Sequence, residues 1–381
     1  MELSSLLWGG VDDRIPSHVT VIDWVEKCGL SLAEGSLRKK TAAEAYSLVI
    51  DNSITLCGQD LHLELMASSV HPGHPHSHAD VSVVSMVAGR QWDAESTRRE
   101  LDKTIARLGY APEYVVCDNG RTVCNASEKV GLPTHRDISH SFGMFLERVY
   151  SKDDEFTHFI NKKGYARKYS HTLMAPLMPP RRREYARFMN AFETVRWAKA
   201  MLENDRLLSS SERWLFSFVR THASLVEELD EVMKGYEYME QLCKQEGLSH
   251  RTASMCRDYV NRHFMTKGER VRRLGDMIIS YFNKEERLLT GDEPHNICSD
   301  IIESTFGYLK SRMSPNKSNG YTPLVLLMPL HMRVSSIEDC RSFNAARTIG
   351  KTRLYDIKKW RADNLLPNPS IKRLNLLKKV S

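Results

Sequence analysis

No run of apolar residues in this 381-residue chain is long enough to span a membrane, and residues 1–10 have neither the basic flank nor the apolar block of a signal peptide. The expectation is a protein that stays in the compartment where it is made. Paired cysteine motifs are missing too: the eight cysteines (Cys28, Cys57, Cys117, Cys124, Cys243, Cys256, Cys298, Cys340) stand singly, without the C-x-x-C spacing of a zinc site or a redox dithiol. They are expected to be reduced and mostly buried. There is no glycine-rich phosphate loop of the P-loop pattern, which argues against ATP use, and no nucleophile elbow to support Ser-His-Asp catalysis. Charge of one sign is barely in excess, with 54 Lys and Arg against 48 Asp and Glu for a formal +6. With 41% hydrophobic and 27% charged residues, the composition is that of a globular chain with room for roughly two or three domains.

What the chain does have is clustered basic charge. Runs occur at Arg38-Lys39-Lys40, at Arg181-Arg182-Arg183, at Arg270 with Arg272 and Arg273, and along residues 351–379, where Tyr355 and Trp360 interleave with the charges. Such runs suit contacts to phosphates. The plainer alternative for any one of them is a solvated helix face.

Residues 1–44 read as a helical lead-in: Ser17 can cap a helix whose Val21, Trp24, Val25 and Cys28 recur at helical spacing, and Gly29 can close it. One helix is not a helix-turn-helix, so the lead-in is either the remnant of a DNA-binding region or packs on the core. Strand patterns begin at residues 46–50, 61–70 and 81–88, rich in β-branched and apolar residues and joined by short links that suggest an antiparallel meander. A helix over 92–108, a strand over 114–117, a helix over 123–130 and a short strand over 134–138 follow, which is the element order of a ribonuclease-H-like core. From 142 to 289 the strand signal nearly vanishes, and apolar residues recur at helical spacing, as in Phe188, Ala191, Phe192 and Val195. The fold class expected is α/β: a ribonuclease-H-like mixed sheet with helices (45–141 and 290–315) interrupted by an all-helical insertion domain (142–289). A last helix near 297–310 carries the stripe Ile301, Ile302, Phe306 and Leu309 for packing on the core. A basic C-terminal tail (316–381), with several prolines, is expected to be partly extended.

Asp51 and Asp118 each follow an apolar strand, where open α/β sheets set their functional groups. If those strands are neighbours, the carboxylates repel unless a cation or a proton intervenes. Glu303, on a helix crossing the sheet, supplies a third carboxylate, and three oxygen donors with open positions suit Mg²⁺ or Mn²⁺. Taken singly, each has a plainer reading: both aspartates sit in turn-forming sequences, and a helical Glu is ordinarily exposed. The histidine-rich segment with His71, His74, His76 and His78 contains two prolines and a glycine and reads as a hairpin link rather than a metal site.

The segments LVIDNSI, VVCDNGR, HRDISHSF, LMPPRRREYARFMNAFETVRWAKAMLE and SDIIESTFGYLKSR together resemble bacterial insertion-sequence transposases of the DDE type with a helical insertion domain, over most of residues 15–315. That resemblance implies a DNA transposase that cuts element ends and joins them to target DNA. Asp51, Asp118 and Glu303 match the catalytic, metal-holding trio, which implies a magnesium or manganese cofactor, two ions in all. Asp137 and His140 match a D-x-x-H signature, for which a supporting or structural role is expected. Trp197 matches an insertion-domain tryptophan that stacks on a flipped base in some relatives, although its position also fits a buried helix face. Arg181, Arg182, Arg183, Arg272, Arg273, Lys310 and Arg312 are the candidate contacts to DNA. The resemblance further implies double-stranded DNA as partner, a homodimer or higher oligomer on that DNA, and a cytoplasmic, nucleoid-associated location. A related nuclease without strand transfer, and a transposase-derived DNA-binding protein without catalysis, are the alternatives. The chain departs from its relatives in its short N-terminal region, which suggests reduced or relocated end recognition.

Overall fold

A computed structural model of the chain describes residues 16–37, 44–169, 177–180, 191–313 and 320–377. The chain forms two compact units, the first drawn from Met1–Ser69, His76–Pro133 and Ser299–Ser381, the second from Val70–Pro75 and Thr134–Cys298. It is an α/β protein with a mixed sheet followed by a largely helical region. The strands β1 (Tyr46–Leu56), β2 (Gln59–Ser68), β3 (Ser82–Gly89), β4 (Tyr114–Cys117) and β5 (Thr134–Arg136) lie in the order β3-β2-β1-β4-β5. β1, β2 and β3 pair antiparallel, whereas β4 runs parallel to β1.

β1 is longer than its apolar stretch suggests. It continues past Ile50 to Leu56 because Cys57 and Gly58, both at positive φ (53° and 69°), make a tight hairpin turn that keeps the strand on β2. On one face of the sheet Val49, Leu61, Leu63 and Val116 are buried. On the other face Leu48, Ile50, Val115 and Cys117 meet Leu101 of α2 (Ala94–Leu108) and Val123 of α3 (Arg121–Val130). The N-terminal helix α1 (His18–Ser36) is capped by Ser17, whose hydroxyl accepts the Thr20 N–H at 3.2 Å. Gly29 does not close it. That residue lies within α1 at a close crossing, where a Cβ would fall 2.1 Å from the Leu326 carbonyl oxygen.

The second unit holds the helices α4 (Ile138–Tyr150), α5 (Asp154–Tyr169), α6 (Ala191–Glu203), α7 (Ser210–Leu215), α8 (Ser217–Thr221), α9 (Ala223–Glu246), α10 (His250–His263) and α11 (Glu269–Glu286). Its core is large and aromatic: Phe142, Tyr236 and Phe282 are all buried in it. A polar chain also runs through it. His135 Nδ1 lies 2.8 Å from Glu285 Oε2, and His135 Nε2 lies 2.9 Å from His295 Nδ1. Burial, and then the neighbouring His135, push the His295 imidazole down to about 4 from its ordinary 6.5. Between those two values the unfolded chain binds a proton that the folded one refuses, so stability should fall as pH drops through this window. Thermal melts from pH 7 to pH 4.5 are expected to show that fall, with a shallower slope for His295→Gln. Equal slopes would remove His295 as its cause.

The chain then returns to the first unit through α12 (Asp300–Arg312), α13 (Leu327–Arg333), α14 (Ile337–Ser342), α15 (Ala345–Ile349), α16 (Leu354–Asn364) and α17 (Pro369–Leu377). The tail expected to be partly extended is therefore mostly helical in its described part, 320–377. Two of its four described prolines start helices: Pro323 opens a 3₁₀ turn and Pro369 opens α17, positions where a missing N–H carries no penalty. Tyr321, Val325, Leu326, Met332 and Ile357 are buried in the same core as the sheet face bearing Val49. No helix among the described residues is long and apolar enough to cross a membrane.

Candidate functional site

The parallel ladder between β1 and β4 ends at the pair Ile50 and Cys117, so the next residues on the two chains are Asp51 and Asp118. Adjacent strands lie about 4.8 Å apart, which sets the two acids side by side along the backbone. Asp51 is inside β1, paired with Leu63 of β2, rather than after the strand. Directly paired residues share a sheet face, and Leu63 belongs to the face with Val49 and Val116. Asp118 lies one residue past the end of β4, in the turn that leads into α3. Helix α12 buries Ile301, Ile302, Phe306 and Leu309 in the same cluster and leaves Glu303 exposed in its first turn. Register thus sets Asp51 and Asp118 at the end of one ladder, and Glu303 lies on the exposed side of the helix whose apolar stripe packs in the Val49 cluster.

Asp118 also shapes its own loop. Its Oδ1 accepts the Gly120 N–H at 2.7 Å, and a Cβ on Gly120 would come within 2.6 Å of that oxygen, so a larger residue there would push the Asp118 carboxylate aside. Among the described residues no group of three or more His, Cys, Asp or Glu side chains is gathered to hold a metal ion. The fold places Asp51 and Asp118 on adjacent strands, and the three carboxylates are not drawn into one ligand cluster. An all-oxygen donor set still matches a hard divalent cation, and the half-buried aspartates with an exposed glutamate leave room for water or phosphate oxygens.

Asp137 is fully buried and caps α4: its Oδ1 accepts the His140 N–H at 2.7 Å and stands 3.1 Å from His140 Nδ1. Trp197 is engaged inside the helical unit, with its indole N–H donating to the Leu177 carbonyl at 3.0 Å and its ring against Phe216 and Phe218. Arg272 and Arg273 are exposed on α11. Arg270 of the same basic run belongs to an ion-pair network instead, 3.1 Å from Asp153, 2.9 Å from Glu155 and 2.9 Å from Glu228. Lys310 is exposed two helical turns after Glu303 and so shares its side of α12. Arg312 lies over the Tyr308 ring at 4.4 Å. Arg181, Arg182 and Arg183 lie outside the described residues, as does the run Arg38-Lys39-Lys40.

One polar assembly escaped the sequence reading. His62 and Glu64 alternate with leucines on β2, a pattern that by itself suits a wet face, yet both are wholly buried. His62 Nε2 is 2.8 Å from Glu64 Oε1 and its Nδ1 is 2.6 Å from Asn52 Oδ1. The Asn52 amide donates to Thr97 of α2 at 3.1 Å, and the Trp92 ring covers His62 at 4.7 Å. Nothing in the local sequence signals it, because Asn52 meets His62 only through the register of β1 on β2. No protein-family model matches the chain, and no curated protein matches it.

Proposed function

We propose that the chain is a DDE-type DNA transposase with a ribonuclease-H-like core, using Asp51, Asp118 and Glu303 to cut element ends and join them to target DNA. The observation that carries this reading is the end of the β1–β4 parallel ladder, where Asp51 and Asp118 follow neighbouring residues of two adjacent strands, in a sheet on which the Glu303 helix packs. The central position of β1, between the antiparallel β2 and the parallel β4, agrees with that core. Asp51, Asp118 and Glu303 would hold Mg²⁺ or Mn²⁺. Bound there, the ions supply the charge that favours in-line attack of a water or 3′-hydroxyl on a phosphodiester and departure of the opposite oxygen. The chain's own part is to fix the acids by strand register and to offer Lys310, exposed on the Glu303 side of α12, to a DNA phosphate. Arg272 and Arg273 offer further phosphate contacts on the helical unit, and two copies would be needed to hold two element ends.

The purified chain should cleave and join DNA carrying the element's ends when Mg²⁺ or Mn²⁺ is added, and should do neither in EDTA. Binding to the same DNA should weaken steeply with salt, as counterion release requires. Activity that persists in EDTA would defeat the assignment. Cleavage without joining would make the protein a nuclease of the same core.

A further inference from the structure

The turn that carries Asp118 is bracketed by two thiols. Cys117 ends β4 and Cys124 lies in the first turns of α3; both are buried, and their sulfur atoms are 3.3 Å apart. A disulfide needs an S–S distance of about 2.0 Å, so bond formation asks for little more than an ångström of side-chain movement. The Cys124 thiol also donates to the Asp118 backbone carbonyl at 3.5 Å, while the Asp118 carboxylate accepts the Gly120 N–H. The same short turn therefore holds both oxygen-bearing groups of Asp118, and its ends are the two cysteines. The sulfurs are themselves buried; the turn Asp118 to Gly120 is half-buried and Arg121 is exposed, so the path a small oxidant would have to take runs through that turn.

We propose that Cys117 and Cys124 form a reversible disulfide, a redox modification site that clamps the Asp118 turn and suppresses the function of that acid. The consequence for activity rests on the transposase reading; the bond itself does not. The oxidant fitting this path is hydrogen peroxide. One thiol is oxidised to a sulfenic acid as the O–O bond breaks, and the first water leaves. The second sulfur then attacks the sulfenic sulfur, the S–S bond forms, and the hydroxyl leaves with the thiol proton as a second water. Two electrons pass from the sulfur pair to the peroxide, and a dithiol returns them. The S–H donor to the Asp118 carbonyl is lost in the process, and the chain from 117 to 124 becomes a closed covalent loop.

Trypsin supplies a direct readout, because it cuts after Arg107, Arg121 and Lys129 and so separates peptides 108–121 and 122–129, each with one cysteine. The full chain is treated with hydrogen peroxide, alkylated, denatured and digested without reductant. The two peptides are expected to run as one linked species that dithiothreitol splits, and none should form in Cys124→Ser or Cys117→Ser. Peroxide should also reduce Mg²⁺-dependent cleavage by the wild type at least tenfold, reversibly. Cys124→Ser, whose hydroxyl can still donate to the Asp118 carbonyl, should resist. Recovery of both peptides as separately alkylated thiols, at a peroxide dose that oxidises the exposed Cys57 and Cys340, would overturn the proposal. So would a linked pair that leaves the cleavage rate unchanged. A linked pair in a protein that has no activity even when reduced would support the modification site and count against the transposase assignment instead.

Discussion

Asp51→Asn, Asp118→Asn and Glu303→Gln are each expected to abolish strand cleavage and joining, with rates reduced by roughly a thousandfold or more, while DNA affinity stays within about twofold. Each change removes one negative charge and keeps the side chain's size. The Asp118 variant is the sharpest of the three. An asparagine retains an oxygen to accept the Gly120 N–H, so the turn into α3 survives and a lost rate reports lost charge rather than a lost fold. Asp137 offers the internal contrast. Its buried carboxylate caps α4, a role that asparagine also fills, so Asp137→Asn should lower activity without eliminating metal-dependent cleavage. Asp137→Ala, which removes the cap, should cost about 1 kcal/mol of stability. Single-turnover cleavage assays beside filter-binding or anisotropy titrations would separate these outcomes. Near wild-type cleavage by any one of the first three variants would remove that residue from the trio.

Gly29→Ala is expected to destabilise the first unit by about 1–3 kcal/mol or more, in spite of alanine's better helix propensity. In an open helix the same change would stabilise by close to 1 kcal/mol. Here α1 crosses the Pro323–Leu326 turn, and the new methyl would lie 2.1 Å from the Leu326 carbonyl oxygen and 2.8 Å from its Cβ. Backbone atoms on both sides leave no flexible side chain to yield, so the helix must shift from the core that buries Leu30 and Ala33. Gly35, on the same helix with open space around it, is the control, and Gly35→Ala should be neutral or stabilising. Denaturant midpoints of the two variants read the difference directly. A Gly29→Ala protein as stable as the wild type would show that α1 does not make this close crossing.

Local periodicity is enough to read much of this chain. Alternating and β-branched residues mark β1 to β4, and recurring apolar positions mark the helices, because side-chain direction repeats every two residues in a strand and every 3.6 in a helix. The mixed sheet and the helical region after it follow from that pattern, and so does the placing of an acid at the end of the apolar stretch in β1 and in β4. Wherever the outcome depends on which segments meet, local pattern falls short. Gly29 has the look of a helix stop until Leu326, some three hundred residues later, packs against it. Asp51 belongs to a turn-like sequence, yet it is held in a strand because the Cys57–Gly58 hairpin extends the ladder on β2 beyond it. His62 and Glu64 occupy the polar half of an alternating strand, yet both are buried, with the Trp92 ring against His62 and His62 bonded to Glu64 and Asn52. The C-terminal segment looks basic and broken by proline, although the sheet face left open by β1 and β2 needs exactly its apolar residues as cover. The sequence by itself determined the types of the elements and the candidate acids, which short-range sterics and hydrophobic spacing control. Tertiary structure alone decided the adjacency of the Asp51 and Asp118 strands, the buried polar row and the meeting of Cys117 with Cys124, because pairing register and packing are long-range properties that no local window contains.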